Sequence, residues 1–160
     1  MNALLKPIEA PIEARLEPMR ESDLDAVLAL ELQAYPHPWQ RKHFSDCLAG
    51  GYQAQLLMAD DTLLGYFVAM PGFEEAHLLN LAVAPSHQRQ GWALVLLQAL
   101  LLWARSKGLQ WVWLESRASN SRAVQVYQAH GFRQVGVRKH YYPASHGQRE
   151  DALVMSLKLD

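Results

Sequence analysis

The stretch LNLAVAPSHQRQGWALVLLQALLLWA, residues 79–104, decides the fold. Its β-rich apolar start ends at Pro85, a polar loop follows over residues 86–90, and a strongly apolar helix begins at Gly91. The pattern predicts a strand, a loop and a helix in direct succession. Because the first N–H groups of a helix have no partner within it and carry the positive end of the peptide dipoles, such a loop can hold a phosphate. Taken alone, the glycine favours an ordinary strand-to-helix connection over a phosphate site.

Composition limits the class of protein. The 160 residues suit one domain, 50% are hydrophobic, and the formal net charge is −1. That charge gives no general attraction to nucleic acid or to an anionic membrane, so we expect neither as a partner. The single cysteine, Cys47, rules out a disulfide within this sequence and is typical of a reducing compartment. We therefore expect a cytoplasmic protein.

We expect residues 1–13 to form a flexible lead-in and residues 14–160 to form a single domain. The start of the sequence contains no apolar segment long enough for a secretory signal. The apolar segment 93–104 is too short to cross a bilayer and contains Gln98, so it predicts a buried helix.

The periodic segments predict a mixed α/β sheet. Strands are predicted over residues 14–19, 52–59, 63–70, 76–83, 111–116, 132–138 and 152–159. Helices are predicted over residues 23–34 with Ser22 as the cap, over 40–49, from Gly91 to a stop at Gly108, and over 120–130. Residues 139–151 are interpreted as a long loop. This order predicts a mixed, mostly antiparallel sheet of six to seven strands with helices on both faces.

A parallel strand pair is expected at the centre of that sheet. The strand before Pro85 and the strand at Trp111 are joined by a crossing helix, as parallel neighbours require. A binding crevice then lies beyond the C-terminal ends of these two strands.

Three side chains at this crevice are candidates for chemistry. Glu115 shares a strand face with Trp111 and Trp113, so its carboxylate lies beside indole surface and is a possible general base. Asn120 and Tyr127 share a helix face about 10.5 Å apart along the axis, a spacing that suits a long, narrow ligand. Each also has an ordinary interpretation: a solvated rim charge, a helix start and an amphipathic core residue respectively.

Other kinds of site find no support in the sequence. The seven histidines show no ligand spacing and have no cysteine partner, so no metal is expected. The serines near residue 116 lack the G-x-S-x-G pattern, which argues against a hydrolase of that type.

Several segments, in order and at compatible spacing, carry a family resemblance. They are residues 81–83 (LAV), 88–93 (QRQGWA), 113–115 (WLE), 117–120 (RASN), Tyr127 and 131–132 (GF). Together they resemble the GNAT superfamily of N-acetyltransferases. Residues 37–39 (HPW), 113–120 (WLESRASN), 139–143 (KHYYP) and 147–152 (GQREDA) are similar to its RimI type, the ribosomal-protein-alanine N-acetyltransferases.

The resemblance implies a GNAT fold, in which the parallel pair splays to form the crevice for acetyl-CoA, the acetyl donor. It implies Glu115 as the general base and Tyr127 as the general acid, with direct attack of an amine in a ternary complex. The cofactor-binding residues it implies are Leu81, Ala82, Val83, Arg89, Gln90, Gly91, Trp92, Ala93, Leu94 and Asn120. Two positions depart from the family: Ala93 stands where glycine is frequent, and Leu94 where a basic residue is frequent.

The resemblance also implies the N-terminal alanine of a ribosomal protein, the eighteenth of the small subunit, as acceptor. Making an α-amine neutral at pH 7 costs roughly 1 kcal/mol, against about 4 to 5 for lysine, so a single carboxylate is an adequate base. We expect residues 35–39 and 139–149 to flank the acceptor groove, with Trp39 and Tyr141 as contacts; loops folded over the core are the equal alternative. Another N-terminus, a lysine, a small amine or a non-catalytic acetyl-CoA-binding module are the competing hypotheses.

Overall fold

The computed structural model describes residues 13–160, so the lead-in expected over residues 1–13 lies, apart from Glu13, outside the described residues. Within them one sheet has the strand order β1-β2-β3-β4-β5-β7-β6. Its strands are β1 (Arg15–Pro18), β2 (Gln53–Ala59), β3 (Thr62–Pro71), β4 (Glu75–Val83), β5 (Trp111–Arg117), β6 (Arg133–Pro143) and β7 (Arg149–Lys158). The helices are α1 (Leu24–Ala34), α2 (Arg41–Ala49), α3 (Trp92–Ser106) and α4 (Ser121–Ala129). The predicted element order and the mostly antiparallel mixed sheet are confirmed.

Helices cover both faces of the sheet. Side chains alternate along β3, so that Phe67 packs beneath α3 while Tyr66 packs beneath α1 and α2. The α3 face holds the larger cluster, which includes Leu96, Leu97 and Leu100, all 0% exposed. Within the described chain, no helix combines the length and the apolar content needed to cross a membrane.

The parallel pair of β4 and β5 is the feature that opens the sheet. Its pairing runs from Glu75 opposite Trp111 to Leu78 opposite Leu114 and then stops. In β4 the register against β3 shifts at Leu79, the extra residue of a β-bulge. Because a bulge bends its strand, β4 continues along β3 while β5 continues along β7, and a gap opens between them.

A close backbone approach fixes the position of α3 against this strand. A Cβ at Gly65 would lie 2.4 Å from the carbonyl oxygen of Ala82 and 3.1 Å from Cδ1 of Leu96. Only glycine therefore allows β3, β4 and α3 to meet at this point.

The predicted Ser22 cap is wrong. A 3₁₀ turn (Glu21–Asp23) precedes α1, and the Asp23 carboxylate accepts the main-chain N–H of Arg20 at 2.8 Å. Helix α1 therefore begins at Leu24, and its N-cap residue Asp23 makes no side-chain hydrogen bond to the helix.

The predicted long loop over residues 139–151 is also wrong. Strand β6 runs to Pro143, β7 begins at Arg149, and only a short 3₁₀ turn lies between them. A bulge lies after Arg138, where His140 has φ 51°. The Asp151 carboxylate accepts the N–H of His140 at 3.0 Å. This side-chain contact stabilises the bulged part of β6, whose polar sequence shows no apolar alternation.

Candidate functional site

A cleft of about 1400 Å³ passes through the gap between β4 and β5. On the α1 and α2 face it is lined by the segment 35–40, and on the α3 face by the start of α3 and by α4. Glu115 lines it from β5 and Tyr127 from α4. The splayed pair thus connects the two faces of the sheet through one continuous space.

The start of α3 forms one end of the cleft. Gly91 precedes the helix at φ 87°, and no described side chain caps it. The first helical bond runs from the N–H of Val95 to the carbonyl of Gly91 at 3.2 Å, so the N–H groups before it have no partner inside the helix. Free N–H groups and the helix dipole make this end suited to a phosphate.

Most of the predicted loop residues line this end. The cleft residues among them are Arg89, Gly91, Trp92, Ala93 and Leu94. Gln90 does not line the cleft; its side-chain oxygen accepts the indole N–H of Trp92 at 3.0 Å. Arg122, on the first turn of α4 and one of several basic residues around that helix, also lines the cleft.

The main chain of β4 offers its free edge to the gap. The N–H of Ala84 donates to the carbonyl of Leu64 at 2.8 Å, and bonded positions alternate along an antiparallel pair. By this alternation Ala82 pairs with β3, whereas Leu81 and Val83 turn their main-chain groups to the gap. The structure therefore brings Leu81 and Val83 to the cleft and leaves Ala82 out of its lining.

Two side chains donate hydrogen bonds to main-chain carbonyl groups along that edge of β4. The Tyr35 hydroxyl donates to the carbonyl of Leu81, and Gln88 Nε2 donates to the carbonyl of Val83 at 3.2 Å. Tyr35 is half-buried, and desolvation raises the pKa of its phenol. The segment after α1 is therefore attached directly to the open edge of β4.

Glu115 lies on the face of the sheet opposite α3, with its side chain 7% exposed. Its neighbours differ from the expected indole surface. Oε2 lies 2.5 Å from Nε2 of His77, and Oε1 lies 3.2 Å from Nε of Arg138. Trp113 instead stacks on the His77 ring at 3.6 Å between centroids. The carboxylate is thus held by nitrogen groups on two sides.

Asn120 and Tyr127 line the cleft from α4, as their spacing predicts. Asn120 Oδ1 also caps the helix, because it accepts the N–H of Ala123 at 3.2 Å. Tyr127 packs edge-on against Phe132, and burial raises the pKa of its phenol to about 12. At neutral pH the phenol therefore keeps its proton and can donate it.

The other end of the cleft is built on a buried carboxylate. Glu31 is 1% exposed and accepts the hydroxyl of Tyr66 at 2.5 Å, Nδ2 of Asn80 at 2.9 Å and the main-chain N–H of Trp39 at 2.9 Å. Trp39 packs on Phe44 with 5.0 Å between ring centroids and lines the cleft. These contacts fix the segment 35–39 where the sequence expects an acceptor groove.

Of the two adjacent tyrosines in β6, Tyr142 lines the cleft and Tyr141 does not. Tyr141 is 43% exposed and lies beneath Arg138, with 5.6 Å between the guanidinium carbon and the ring centroid. Tyr142 lies beneath Arg117 at 4.6 Å. Burial, reinforced by the negative charge of Glu115, raises the pKa of Tyr142. The two rings touch edge to face with 4.9 Å between centroids, yet only Tyr142 reaches the cleft.

An acidic side chain of β7 holds Arg117 of β5 at the cleft. Glu150 accepts from Arg117 at 2.7 Å, and this bond together with one from Ser119 lowers the pKa of Glu150.

Among residues 13–160, no three or more His, Cys, Asp or Glu side chains cluster in a way that could hold a metal ion.

Comparison with known proteins adds to this geometry. Residues 24–132 match the model of the acetyltransferase (GNAT) family. A Salmonella typhimurium protein named [ribosomal protein bS18]-alanine N-acetyltransferase is 36% identical over 138 residues, which cover 86% of this chain and 93% of that protein. A Haemophilus ducreyi protein of the same name is 34% identical over 90% of this chain and 99% of its own length.

Solved structures agree with these relatives. The crystal structure of the ribosomal-protein-S18-alanine N-acetyltransferase from Escherichia coli has a TM-score of 0.86 and 32% identity, covering 92% of this chain and 95% of that one. A GNAT acetyltransferase from Elizabethkingia anophelis, solved with acetyl-CoA bound, has a TM-score of 0.74 and 25% identity over 91% of this chain and 98% of that one.

Proposed function

Because this chain belongs to the GNAT family of acetyltransferases and uses acetyl-CoA as donor, we propose that it acetylates the N-terminal alanine of ribosomal protein bS18. The observation that carries the proposal is the single cleft that joins the uncapped start of α3 to Glu115 and Tyr127. The acceptor is supported by relatives that are named for it and that this chain matches over 86–90% of its length. Modification of a ribosomal protein suits a cytoplasmic location.

The donor enters from the α3 face. Main-chain N–H groups of residues 91–94 hold the pyrophosphate, with Arg89 adding positive charge. The pantetheine arm pairs with the free edge of β4 at Leu81 and Val83, and Asn120 contacts it from α4. Arg122 supplies a second cation at this end, where the family pattern has its basic residue at position 94 instead of Leu94. Ala82 and the side chain of Gln90 drop out of the proposed set because neither lines the cleft.

The two catalytic groups act from opposite faces of the sheet. Glu115 faces the acceptor side and takes a proton from the α-ammonium group, which leaves a neutral amine. The amine nitrogen then attacks the thioester carbonyl, an amide C–N bond forms as the nitrogen releases its second proton to water, and the C–S bond breaks. Tyr127 faces the donor side and gives its phenol proton to the departing thiolate. The proton held by Glu115 returns through water to Tyr127 before the next turnover. No side-chain nucleophile takes part, so the acetyl group passes directly between the substrates.

The acceptor end is formed by Trp39, Tyr35 and Tyr142. Glu31 holds Trp39 by its main chain, and Arg117 lies over the Tyr142 ring, so both walls are fixed by buried or half-buried polar contacts. A narrow gap with rigid aromatic walls admits a chain end bearing a small first residue more readily than a bulky one.

A pair of peptides tests the acceptor. One carries the N-terminal sequence of bS18 beginning with alanine, and the other has a blocked N-terminus and an internal lysine. After incubation with enzyme and acetyl-CoA, mass spectrometry locates the acetyl group. Acetylation of the alanine α-amine alone supports the proposal. Acetylation of the lysine side chain, or of neither peptide, contradicts it. The Glu115→Gln variant serves as the control for acetylation that occurs without the enzyme's proposed base.

A further inference from the structure

The surroundings of Glu115 contain a group that the catalytic roles above do not use. We propose that His77 is a positioning residue: its imidazole holds the Glu115 carboxylate in the orientation in which it takes the proton from the acceptor amine. This inference rests on the proposed role of Glu115 as base. His77 lies on β4, and Glu115 lies on the neighbouring strand β5.

The strand register places the two side chains together. His77 lies opposite Trp113, one residue before the parallel pairing of β4 and β5 ends. Glu115 is two residues further along β5, on the same face and at the mouth of the gap. The side chains are 12% and 7% exposed, and Nε2 lies 2.5 Å from Oε2. The contact is thus shielded from most of the solvent that would compete for it.

The imidazole has one fixed plane. Its ring stacks on Trp113 with centroids 3.6 Å apart and an interplanar angle of 11°. The stack prevents the ring from turning about its side-chain bonds, so Nε2 stays directed at the carboxylate. Since an ionised carboxylate only accepts hydrogen bonds, Nε2 carries the hydrogen in this contact.

The opposite oxygen of Glu115 has a weaker partner. Nε of Arg138 lies 3.2 Å from Oε1, but the Arg138 side chain is 48% exposed. Tyr142 is the other titratable group that faces Glu115, and its raised pKa keeps its phenol neutral at physiological pH. Of the groups around the carboxylate, His77 is therefore the most buried and makes the shortest contact.

The second buried carboxylate of the cleft shows why this arrangement suits a base. Glu31 takes three hydrogen bonds and has a structural role. Glu115 has one partner on each oxygen, which leaves lone pairs directed into the cleft for an incoming amine. The orientation of the carboxylate is fixed while its capacity to accept a proton is kept.

Two substitutions at one position separate donation from packing. His77→Phe keeps a ring that can stack on Trp113 but has no donor. His77→Gln loses the ring and keeps an N–H donor at about the distance of Nε2. If His77 positions Glu115 by its hydrogen bond, kcat falls roughly 10- to 100-fold in His77→Phe and only a few-fold in His77→Gln. KM for acetyl-CoA stays within about twofold in both, because His77 does not line the cleft.

The readouts are kcat and KM from thiol release, together with melting temperatures that confirm folding. A larger loss in His77→Gln than in His77→Phe, equal losses in both, or no loss in either overturns the inference. Glu115→Gln, measured in parallel, distinguishes this failure from a failure of the proposed function. If Glu115→Gln loses activity and His77→Phe does not, only the role of His77 is wrong. If Glu115→Gln is fully active, the proposed base itself is wrong.

Discussion

The two ends of the cleft present different kinds of chemical groups, main-chain groups at one end and side chains at the other. At the α3 end, the first main-chain N–H groups of the helix follow a glycine at φ 87° and have no side-chain cap. At the other end the groups are side chains in dense networks, in which Glu31 takes three hydrogen bonds and Glu115 contacts two nitrogen groups. One end therefore depends on backbone conformation, and the other depends on residue identity.

This difference explains how the chain can depart from its family at the donor end. Ala93 and Leu94 replace a frequent glycine and a frequent basic residue, yet both lie in the first turn of α3, where we propose that main-chain groups provide the contacts. Comparable changes at Glu115 or Glu31 would leave buried polar groups without partners, which costs far more. Substitutions of Glu115 and Tyr127 should affect kcat, whereas those at the start of α3 should affect KM for acetyl-CoA.

The largest effect is expected for Glu115→Gln. The amide keeps the size of the side chain but cannot take a proton, so kcat should fall roughly 10²- to 10⁴-fold with KM for acetyl-CoA little changed. Thiol release at saturating peptide measures the loss, and a melting curve checks the fold. If Glu115→Gln has the kcat of the wild type, Glu115 is not the base, and the two ends of the cleft do not differ in the way described.

Tyr127→Phe should reduce kcat roughly 10²-fold, because the ring still packs on Phe132 while the phenol proton is lost. An unchanged KM for acetyl-CoA would show that Tyr127 contributes to the chemical step and not to binding of the donor. Single-turnover kinetics with preloaded acetyl-CoA give the rate. An unaltered rate would show that the thiolate leaves without this acid.

Gly91→Val should raise KM for acetyl-CoA roughly 10-fold, because a branched residue is strained at φ 87° and displaces the N–H groups of the first turn. The matched control is Gly108→Val, at φ 70° beyond the other end of α3 and outside the cleft. Both variants lose stability for the same reason. Only Gly91→Val should lose donor affinity; equal KM values in the two would mean that the α3 start does not hold the cofactor.

Leu94→Arg should lower KM for acetyl-CoA by a modest factor, about two- to fivefold, since an exposed charge near a phosphate contributes little beyond what the main chain supplies. Steady-state kinetics at low ionic strength provide the most sensitive measurement. A decrease of 100-fold or more would contradict the view that main-chain groups dominate at this end.

The folding stability at high pH should also depend on Tyr127. Burial raises the pKa of Tyr127 to about 12, above the usual phenol value of about 10, so the folded state keeps a proton that the unfolded chain loses. The stability due to this group is complete below about pH 10 and is lost as pH rises towards 12. Denaturant titrations between pH 9 and about pH 11.5 should show a shallower loss in Tyr127→Phe than in wild type; identical slopes would mean that the phenol is not desolvated.

Much of the fold was predictable because its signals are local. The apolar stripe of α3, the turn at Asp60 and the glycines at helix ends each identify an element boundary from a few neighbouring residues. The sequence predicted shorter versions of β6 and β7. Their extensions towards residues 143 and 149 were missed because they are stabilised by the side chains of Asp151 and Arg149, which bond to main-chain groups of residues 140 and 141. No periodicity within the segment indicates such bonds.

The site was predictable to a similar depth. The positions of Glu115, Asn120 and Tyr127 follow from strand alternation and helix spacing, and all three line the cleft. The partners of Glu115 were not predictable, because His77 is 38 residues away in sequence and reaches it only through the parallel register. The bulge at Leu79, which decides which β4 groups face the gap, likewise has no local sequence signal.

A crystal structure of the protein with acetyl-CoA bound tests the central claim most directly. The account predicts the pyrophosphate within about 3.2 Å of N–H groups of residues 91–94, with the thioester in the gap between β4 and β5. Its sulfur should lie near the Tyr127 hydroxyl, with the Glu115 carboxylate across the carbonyl carbon. Coenzyme bound away from the start of α3, or a thioester remote from both side chains, would contradict the account.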